Sequence, residues 1–340
     1  MKISWITFAA PYRDAQGTLT SDLASLRYRV IPAMRALDAA GHSTQIAAIT
    51  KAASIAQSAA LVDSDTVVFS KSFSPANETL LTQLRSHGTR CVFDICDNHF
   101  DSPKYASHYR FMSAHADLVI CNTSRMAETA APFCNSPPLV IEDPYEGAQG
   151  AARAISGQTK LLWFGHPTNL DSLQACLEDL VGYAQSHPLQ LTILTQLTPQ
   201  IEVFANRVNA RFAPAFTITA QPWSLDTQWT AIEACDIVII PSLQSAQKQV
   251  KSANRMIEAL WAGRPVAAQP LPAYQPFARW TPVRPKISAG LELILARPDE
   301  TLTLVEEAQS FIRRHYSQDT IGAMWKSALT DPVPKENHEA

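Results

Sequence analysis

The stretch Cys235–Val266 reads CDIVIIPSLQSAQKQVKSANRMIEALWAGRPV. An apolar run that ends at Pro241 predicts a buried strand, and a polar loop follows it. Ser252 is a good N-cap for a helix over Ala253–Ala262, and Gly263 is a typical residue just past a helix end. Strand, loop and helix in this order form the repeating unit of a parallel α/β sheet.

Two cations flank the expected start of this helix, Lys251 and Arg255. Free backbone N–H groups, the positive end of the helix dipole and these side chains would meet at one place, which favours phosphate or diphosphate binding. Ser252 and Asn254 can add hydrogen bonds, and Glu258 can accept one from a sugar hydroxyl. The alternative is an ordinary capped surface helix with solvated charges.

The same alternation of strands and helices runs outward from this stretch. Gly41 ends the first helical pattern, within which Pro32 indicates a kink or a break. The expected strands are Lys2–Phe8, Thr44–Ile49, Thr66–Phe69, Arg90–Ile95, Asp117–Cys121, Leu139–Ile141, Lys160–Phe164, Leu189–Leu194, Phe216–Thr219, Ile237–Ile240 and Pro265–Ala268. The expected helices are Asp22–Ala40, Ala76–His87, Tyr105–His115, Ser124–Ala131, Ser172–Ser186, Pro199–Arg211, Asp226–Ala234, Ala253–Ala262, Glu300–His315 and Gln318–Leu329.

Composition narrows the class of protein. The chain has 340 residues, of which 46% are hydrophobic and 17% charged, so it is globular and not disordered. A net charge of −3 gives no overall basic field for nucleic acid. Six cysteines without a CxxC pair indicate buried thiols rather than a disulfide framework or a metal site. The N-terminus lacks a signal-peptide pattern, and a cytoplasmic protein is expected.

The pattern predicts two doubly wound domains. The first covers residues 1–146 and is completed by a closing helix at 317–330. A small, polar segment at 147–159, with three of the chain's 11 glycines, is interpreted as a linker. The second domain covers 160–316, and 331–340 is a loose polar tail.

The stretch quoted above resembles the donor-binding segment of GT-B glycosyltransferases, closest to glycosyltransferase family 4. The resemblance extends over nearly the whole chain and is strongest in the second domain. The segments that carry it are Cys235–Ser242, Glu258–Val266, Lys160–Asn169, Pro222–Ala234, Phe311–Leu329 and Ser25–His42.

The resemblance implies two Rossmann-like domains that face a central cleft, with the C-terminal helix crossing back to the first domain. It also implies transfer of a sugar from a nucleotide-activated donor, used as a co-substrate, with no bound metal and no other cofactor. The family commonly carries two glutamates eight positions apart; Glu258 matches the second, but Val250 stands at the first. The identity of the sugar is therefore open.

Donor-binding residues are expected at two places in the second domain. Lys251, Ser252, Asn254, Arg255 and Glu258 form the first. The turn after the first strand of this domain forms the second, because it is expected at the same edge of a parallel sheet; its residues are Gly165, His166 and Asn169.

The first domain supplies an acidic loop, VFDICDNHFD over Val92–Asp101. Asp97 and His99 are the candidate catalytic residues, as a base or hydroxyl anchor for the acceptor. Asp94 and Arg13 are candidate acceptor-binding residues. A divalent metal held by Asp94, Asp97 and Asp101 is the less favoured interpretation of this loop.

Three functional interpretations remain. The first is a glycosyltransferase with a carbohydrate, lipid-linked or protein acceptor and no nucleic-acid partner. It would act in the cytoplasm, with peripheral contact at the inner face of a membrane left open. The second is a nucleotide-sugar epimerase of the same fold, and the third is a non-catalytic scaffold that binds a glycan or a partner enzyme.

Overall fold

A computed structural model describes residues 1–48, 61, 63–155 and 157–331. The chain divides into two compact units. Unit 1 is Met1–Pro144 with the C-terminal segment from Tyr316, and unit 2 is Tyr145–His315. Each unit contains a parallel sheet whose strands alternate with helices, as the sequence pattern predicts. Ile49 of one predicted strand and residues 332–340 of the predicted tail lie outside the described residues.

The sheet of unit 1 has six parallel strands in the order β4-β1-β5-β6-β7-β8. Chain order reverses between β1 and β5, so these two strands flank the point at which α/β sheets of this kind bind ligands. A small antiparallel hairpin of β2 and β3, absent from the predictions, follows β1. The bounds are β1 Lys2–Thr7, β2 Tyr12–Arg13, β3 Leu19–Thr20, β4 Ser43–Ala48, β5 Thr66–Ser70, β6 Arg90–Ile95, β7 Leu118–Cys121 and β8 Leu139–Val140.

The first predicted helix is irregular in the structure. It is helical from 24 to 39 without a break, but the turn Leu26–Val30 is π-helical and precedes α1, Ile31–Ala39. Pro32 lies directly after this turn and, because it lacks an N–H, cannot donate to a carbonyl of the preceding turn. The C-terminal helix α13 packs closely on α1, and a Cβ on Gly322 would lie 2.9 Å from Ala36 Cβ. The remaining helices of unit 1 are α2 Pro75–Ser86, α3 Ala106–His115 and α4 Ser124–Ala130, and α13 is Gln318–Thr330.

A buried guanidinium ties together separate segments of unit 1. Arg29 is 1% exposed, and its Nε donates to Asp94 Oδ1 at 2.6 Å. Its Nη1 donates to Asp143 Oδ1 and to the Ile141 carbonyl, both at 2.8 Å. The guanidinium also lies over the Trp325 ring at 5.1 Å. The π-helical turn, β6, the segment after β8 and α13 therefore all depend on one charge.

The sheet of unit 2 is also parallel, in the order β11-β10-β9-β12-β13. If the strands are numbered from 1 within this unit, their order across the sheet is 3-2-1-4-5. The direction in which strands are added therefore reverses between β9 and β12. The bounds are β9 Thr159–Phe164, β10 Leu189–Thr195, β11 Phe216–Pro222, β12 Ile237–Ile240 and β13 Val266–Ala268.

The helices of unit 2 depart from the predictions at three places. The expected helix Ser172–Ser186 is two helices separated at Cys176, and the short α9 and the apolar α11 were not predicted. The bounds are α5 Leu170–Ala175, α6 Leu177–Ala184, α7 Pro199–Phe212, α8 Leu225–Ala234, α9 Ala246–Gln249, α10 Asn254–Trp261, α11 Ile287–Ala296 and α12 Pro298–His315.

The segment interpreted as a linker is packed on the body of unit 2. Gly150 N donates to the Trp261 carbonyl at 3.0 Å, and a Cβ on Gly150 would lie 2.3 Å from the Ala262 carbonyl oxygen. The buried Gln309 amide donates to the carbonyls of Gly150 and Trp261. Glycine is thus required here for close backbone approach rather than for flexibility.

Strand β11 forms one edge of the unit 2 sheet in the described part of the chain. The Asn209 side chain, from α7, donates to the Ile218 carbonyl at 2.9 Å and accepts from Ile218 N at 2.7 Å. Both outward-facing backbone groups of Ile218 are therefore satisfied by one amide side chain. None of the described helices combines the length and hydropathy needed to span a bilayer.

Replacing Arg29 with methionine should destabilise the protein by about 3–5 kcal/mol, because Asp94 and Asp143 would remain buried without their cation. The measurement is urea unfolding of the full chain. Arg35→Met, at an exposed position on α1, is the matched control and should change stability by less than about 1 kcal/mol. Equal effects of both substitutions would contradict the role given to Arg29.

The deficit of the Arg29→Met variant should also depend on pH. Burial raises the pKa of Asp94, and it outweighs the opposing effects of Arg29 and the Ser70 hydroxyl. Without Arg29 this pKa rises further, so the folded state binds the proton more tightly than the unfolded chain. Stability then falls as pH rises from the unfolded pKa of about 4. The loss of stability of Arg29→Met relative to the wild type should therefore be smaller at about pH 5 than at about pH 8. A loss that does not change with pH would argue against charged carboxylates at this position.

Candidate functional site

The carboxyl edge of the unit 2 sheet brings together the two places at which donor-binding residues are predicted. Gly165 follows β9, where its N donates to the Leu194 carbonyl and its carbonyl accepts from Thr195 Oγ1 at 2.6 Å. A Cβ built on Gly165 would lie 3.6 Å from Arg255 Nη1 and 3.8 Å from Asn169 Nδ2. These side chains therefore converge beside the β9 turn, at the reversal of strand order.

The start of α10 differs from the prediction. The helix begins at Asn254 with Ala253 at the N-cap position, and no side chain caps it. Ser252, expected as the N-cap, lies in the loop before it. The Asn254 Oδ1 atom is buried without a hydrogen-bond partner among the described residues. An uncapped helix start leaves backbone N–H donors for a ligand.

A third cation, Lys248 of α9, was missed from the sequence. Its Nζ donates to Asn169 Oδ1 at 2.5 Å and lies 3.7 Å from Asp171 Oδ1. Burial lowers the pKa of Lys248; Asp171 opposes this effect, and the positive charges of Arg255 and Lys251 add to it. Lys248, Lys251 and Arg255 therefore form one cationic cluster. The spacing of three between Lys248 and Lys251 is a signal that sequence reasoning overlooked because it treated this loop as merely polar.

Arg255 and His166 also contact the β9 turn. Arg255 Nη1 donates to the Phe164 carbonyl at 3.4 Å, which holds the guanidinium against the end of the strand. His166 is exposed and caps a 3₁₀ turn over Pro167–Asn169, with Nδ1 2.9 Å from Thr168 Oγ1. His166 thus stays a candidate phosphate contact at the surface of this turn.

Glu258 lies one helical turn beyond Arg255 and is 3% exposed. Its Oε2 accepts a hydrogen bond from Gln228 Nε2 at 3.0 Å. Gln228 Oε1 in turn accepts from Trp223 Nε1 at 2.8 Å. Gln228 was not identified from the sequence, since nothing in its local pattern distinguishes it from other polar residues of α8.

In unit 1, Asp97 follows β6 and forms an ion pair with Lys71 at 2.5 Å. Burial lowers the pKa of Lys71, but the nearby Cys96 and Asp97 raise it by more, so that it lies above its ordinary value. Lys71 directly follows β5 and has a φ of +51°, a conformation that costs energy in a non-glycine residue. Backbone strain next to the reversal of strand order suggests a functional position.

His99 lies in an aromatic cluster of unit 1. Its ring centroid is 5.3 to 5.4 Å from those of Phe73, Tyr105 and Tyr109. The Tyr109 hydroxyl donates to the Asp97 carbonyl at 2.5 Å, which connects the cluster to the neighbouring residue pair. Asp97 and His99 therefore share one loop and one supporting tyrosine.

The structure corrects the expectation for Asp94 and locates Arg13. Asp94 is 0% exposed and is bound by Arg29 and the Ser70 hydroxyl, so it is a structural group and not an acceptor contact. Arg13 is exposed in the β2–β3 hairpin, and its Nη1 donates to the Gly17 carbonyl. Within the described ranges, no three His, Cys, Asp or Glu side chains are grouped so that they could hold a metal ion.

Comparison with solved structures identifies the architecture. HepE of Anabaena, in complex with UDP-glucose, matches with a TM-score of 0.65 and 12% identity, over 96% of this chain and 99% of HepE. The chain has the GT-B fold. AviGT4, a glycosyltransferase involved in avilamycin A biosynthesis, matches this GT-B chain with a TM-score of 0.57 and 12% identity, over 95% of each chain.

A third GT-B match is a variant of S. aureus TarM in complex with fondaparinux, alpha-GlcNAc-glycerol and UDP. Its TM-score is 0.57 and its identity 13%, over 76% of this chain. The chain spans about half of TarM, 54% of its length. No family model matches the sequence, and no curated protein matches it.

The cationic cluster of this GT-B chain should bind inorganic pyrophosphate. Arg255→Ala and Lys248→Ala should each weaken that binding about 10- to 100-fold, because a hydrogen bond to a charged group contributes about 1.5–3 kcal/mol. Isothermal titration calorimetry measures the effect. Arg297→Ala, an equal change of charge at an exposed site of unit 2, should leave the affinity unchanged. Unaltered binding in both cluster variants would place the anion elsewhere.

Proposed function

We propose that the protein is a glycosyltransferase that moves a sugar from a nucleotide-activated donor to a hydroxyl group of an acceptor. The observation that carries the proposal is the cationic cluster of Lys248, Lys251 and Arg255 beside the uncapped start of α10. It lies where strand order reverses, the usual ligand position in such sheets. The UDP-glucose of HepE and the UDP of the TarM variant support a nucleotide-sugar donor.

The cluster fits the chemistry of the leaving group. As the acceptor oxygen attacks the anomeric carbon, the bond from that carbon to the phosphate oxygen breaks, and negative charge grows on the nucleotide. Cations and helix N–H groups fixed at that position stabilise this charge in the transition state. Lys251 and Arg255 are proposed to bind the diphosphate, and Lys248 to exchange its contact with Asn169 for one with a phosphate oxygen.

Ribose recognition is assigned to Glu258. Its carboxylate lies within the same helix as Arg255 and three residues further along, so a nucleotide whose phosphates contact Arg255 can bring its sugar to Glu258. A carboxylate accepts hydrogen bonds and cannot donate them when ionised, which suits two hydroxyl donors. Gly165, His166 and Asn169 stay predicted donor contacts.

The acceptor side is assigned to unit 1. Asp97 and His99 are proposed to take the proton of the acceptor hydroxyl or to hold that hydroxyl, and Lys71 supports Asp97 through their ion pair. Arg13 stays a predicted acceptor contact. The acceptor class, whether carbohydrate, lipid-linked or protein, stays a prediction, as do cytoplasmic location, membrane contact and independence from a metal or other cofactor.

The experiment that tests the proposal has two stages. Thermal-shift measurements with UDP, ADP and GDP identify the nucleotide, since a ligand raises stability according to its concentration over Kd. The corresponding sugar donors are then incubated with a set of hydroxyl acceptors, with and without a chelator. Acceptor-dependent release of the nucleotide, unaffected by the chelator, is expected. Donor epimerisation without acceptor, or binding without turnover, would contradict transfer.

Asp97→Asn should lower the transfer rate about 10²- to 10⁴-fold, the usual contribution of a positioned base. The Kd of the nucleotide should stay unchanged, because its proposed contacts all lie in unit 2. Steady-state kinetics and calorimetry separate these effects. Asp101→Asn, in the same loop with its side chain 76% exposed, is the matched control and should retain activity. Loss of nucleotide binding in Asp97→Asn would overturn the division of roles.

A further inference from the structure

Three side chains of unit 2 form a hydrogen-bonded relay that ends at the proposed ribose contact. Trp223 Nε1 donates to Gln228 Oε1 at 2.8 Å, and Gln228 Nε2 donates to Glu258 Oε2 at 3.0 Å. Gln228 is 4% exposed and Glu258 3%, so both central groups lie within the protein. The buried Gln228 amide needs hydrogen-bond partners for its oxygen and its nitrogen, and the indole and the carboxylate supply them.

The direction of this relay is fixed by chemistry. An indole N–H can only donate, and an ionised carboxylate can only accept. The Gln228 amide therefore has one orientation that satisfies both neighbours, with its oxygen toward Trp223 and its nitrogen toward Glu258. Loss of the Trp223 contact would free the amide to turn and would leave Glu258 less firmly held.

The outer end of the relay is anchored in the backbone. Trp223 directly follows β11, and its N donates to the Thr195 carbonyl at 2.9 Å. A capping box of Ser224 and Thr227 then fixes the start of α8, the helix that carries Gln228. Thr195 also bonds Gly165, beside Arg255. The relay thus connects the end of strand β11 with the carboxyl edge of the sheet, where the cationic cluster also lies.

We infer that Gln228 is a positioning residue which, anchored by Trp223, holds Glu258 so that its carboxylate distinguishes ribose from 2′-deoxyribose. The inference rests on the proposed function. Two adjacent hydroxyls can both donate to one carboxylate only if its plane is fixed, and 2′-deoxyribose lacks one of them. A site built to bind a hydroxyl discriminates against the analogue that lacks it, because a buried acceptor is left unpaired.

The test compares ribo- and 2′-deoxyribonucleoside diphosphates of the same base, namely UDP, ADP and GDP with their 2′-deoxy forms. Calorimetry on the full chain gives the ratio of the two Kd values. For the wild type we expect at least about tenfold preference for the ribonucleotide. Trp223→Phe keeps an aromatic ring but removes the N–H, and it should reduce that preference severalfold. Gln228→Met, which keeps the side-chain length, should reduce it further.

Trp229→Phe is the matched control. Trp229 is also on α8, but its ring lies against Gly147 and the relay does not include it. This variant should keep the wild-type preference. If Gln228→Met fails to fold, the Trp223→Phe variant alone decides the outcome, because Trp223 is only half-buried.

The outcomes separate the inference from the proposed function. Equal binding of ribo- and deoxyribonucleotides by the wild type, or an unchanged preference in Trp223→Phe and Gln228→Met, overturns the relay and leaves nucleotide binding intact. A preference abolished by Glu258→Gln and reduced by both relay variants supports it. Failure of every nucleotide to bind contradicts the proposed function and the relay together.

Discussion

Parallel strand pairing is the constraint on which the rest of this protein depends. It directs the carboxyl end of every strand in a unit to one edge, so the loops that follow different strands become neighbours however far apart they are in sequence. Gly165 and Arg255 are 90 positions apart yet adjacent in space, because β9 and β12 pair. In unit 1 the same pairing places Lys71, after β5, beside Asp97, after β6.

The two units use their buried charges differently. In unit 1 the Arg29 guanidinium donates hydrogen bonds to two carboxylates and a carbonyl, and it thereby connects separate segments of the unit. In unit 2 one of the buried charges is the Glu258 carboxylate, which accepts a hydrogen bond from the neutral Gln228 amide. The amide orients this carboxylate through a hydrogen bond and not through an ion pair.

The sequence predicted the strands of both parallel sheets and most helices, because their apolar periodicity is local; it did not predict the β2–β3 hairpin. It also placed Lys251, Arg255 and Glu258 around the start of a helix that follows a strand, as the structure has them, and their roles in donor binding stay predictions. It did not predict the burial of Asp94, whose partner Arg29 is 65 positions away, and it placed the N-cap of α10 at Ser252 because capping preference is a local signal that the loop geometry overrode. Gln228 was missed because its contacts are tertiary, and Lys248 because the loop that carries it was interpreted as merely polar.

The Asn209 amide on the edge of the unit 2 sheet has a consequence for how copies of this protein behave toward each other. An edge strand with free backbone groups is a template on which another strand can add, and repeated addition leads to fibres. Asn209 occupies the Ile218 groups that an incoming strand would need. One side chain thereby occupies the backbone groups of Ile218 that pairing with a further strand would require.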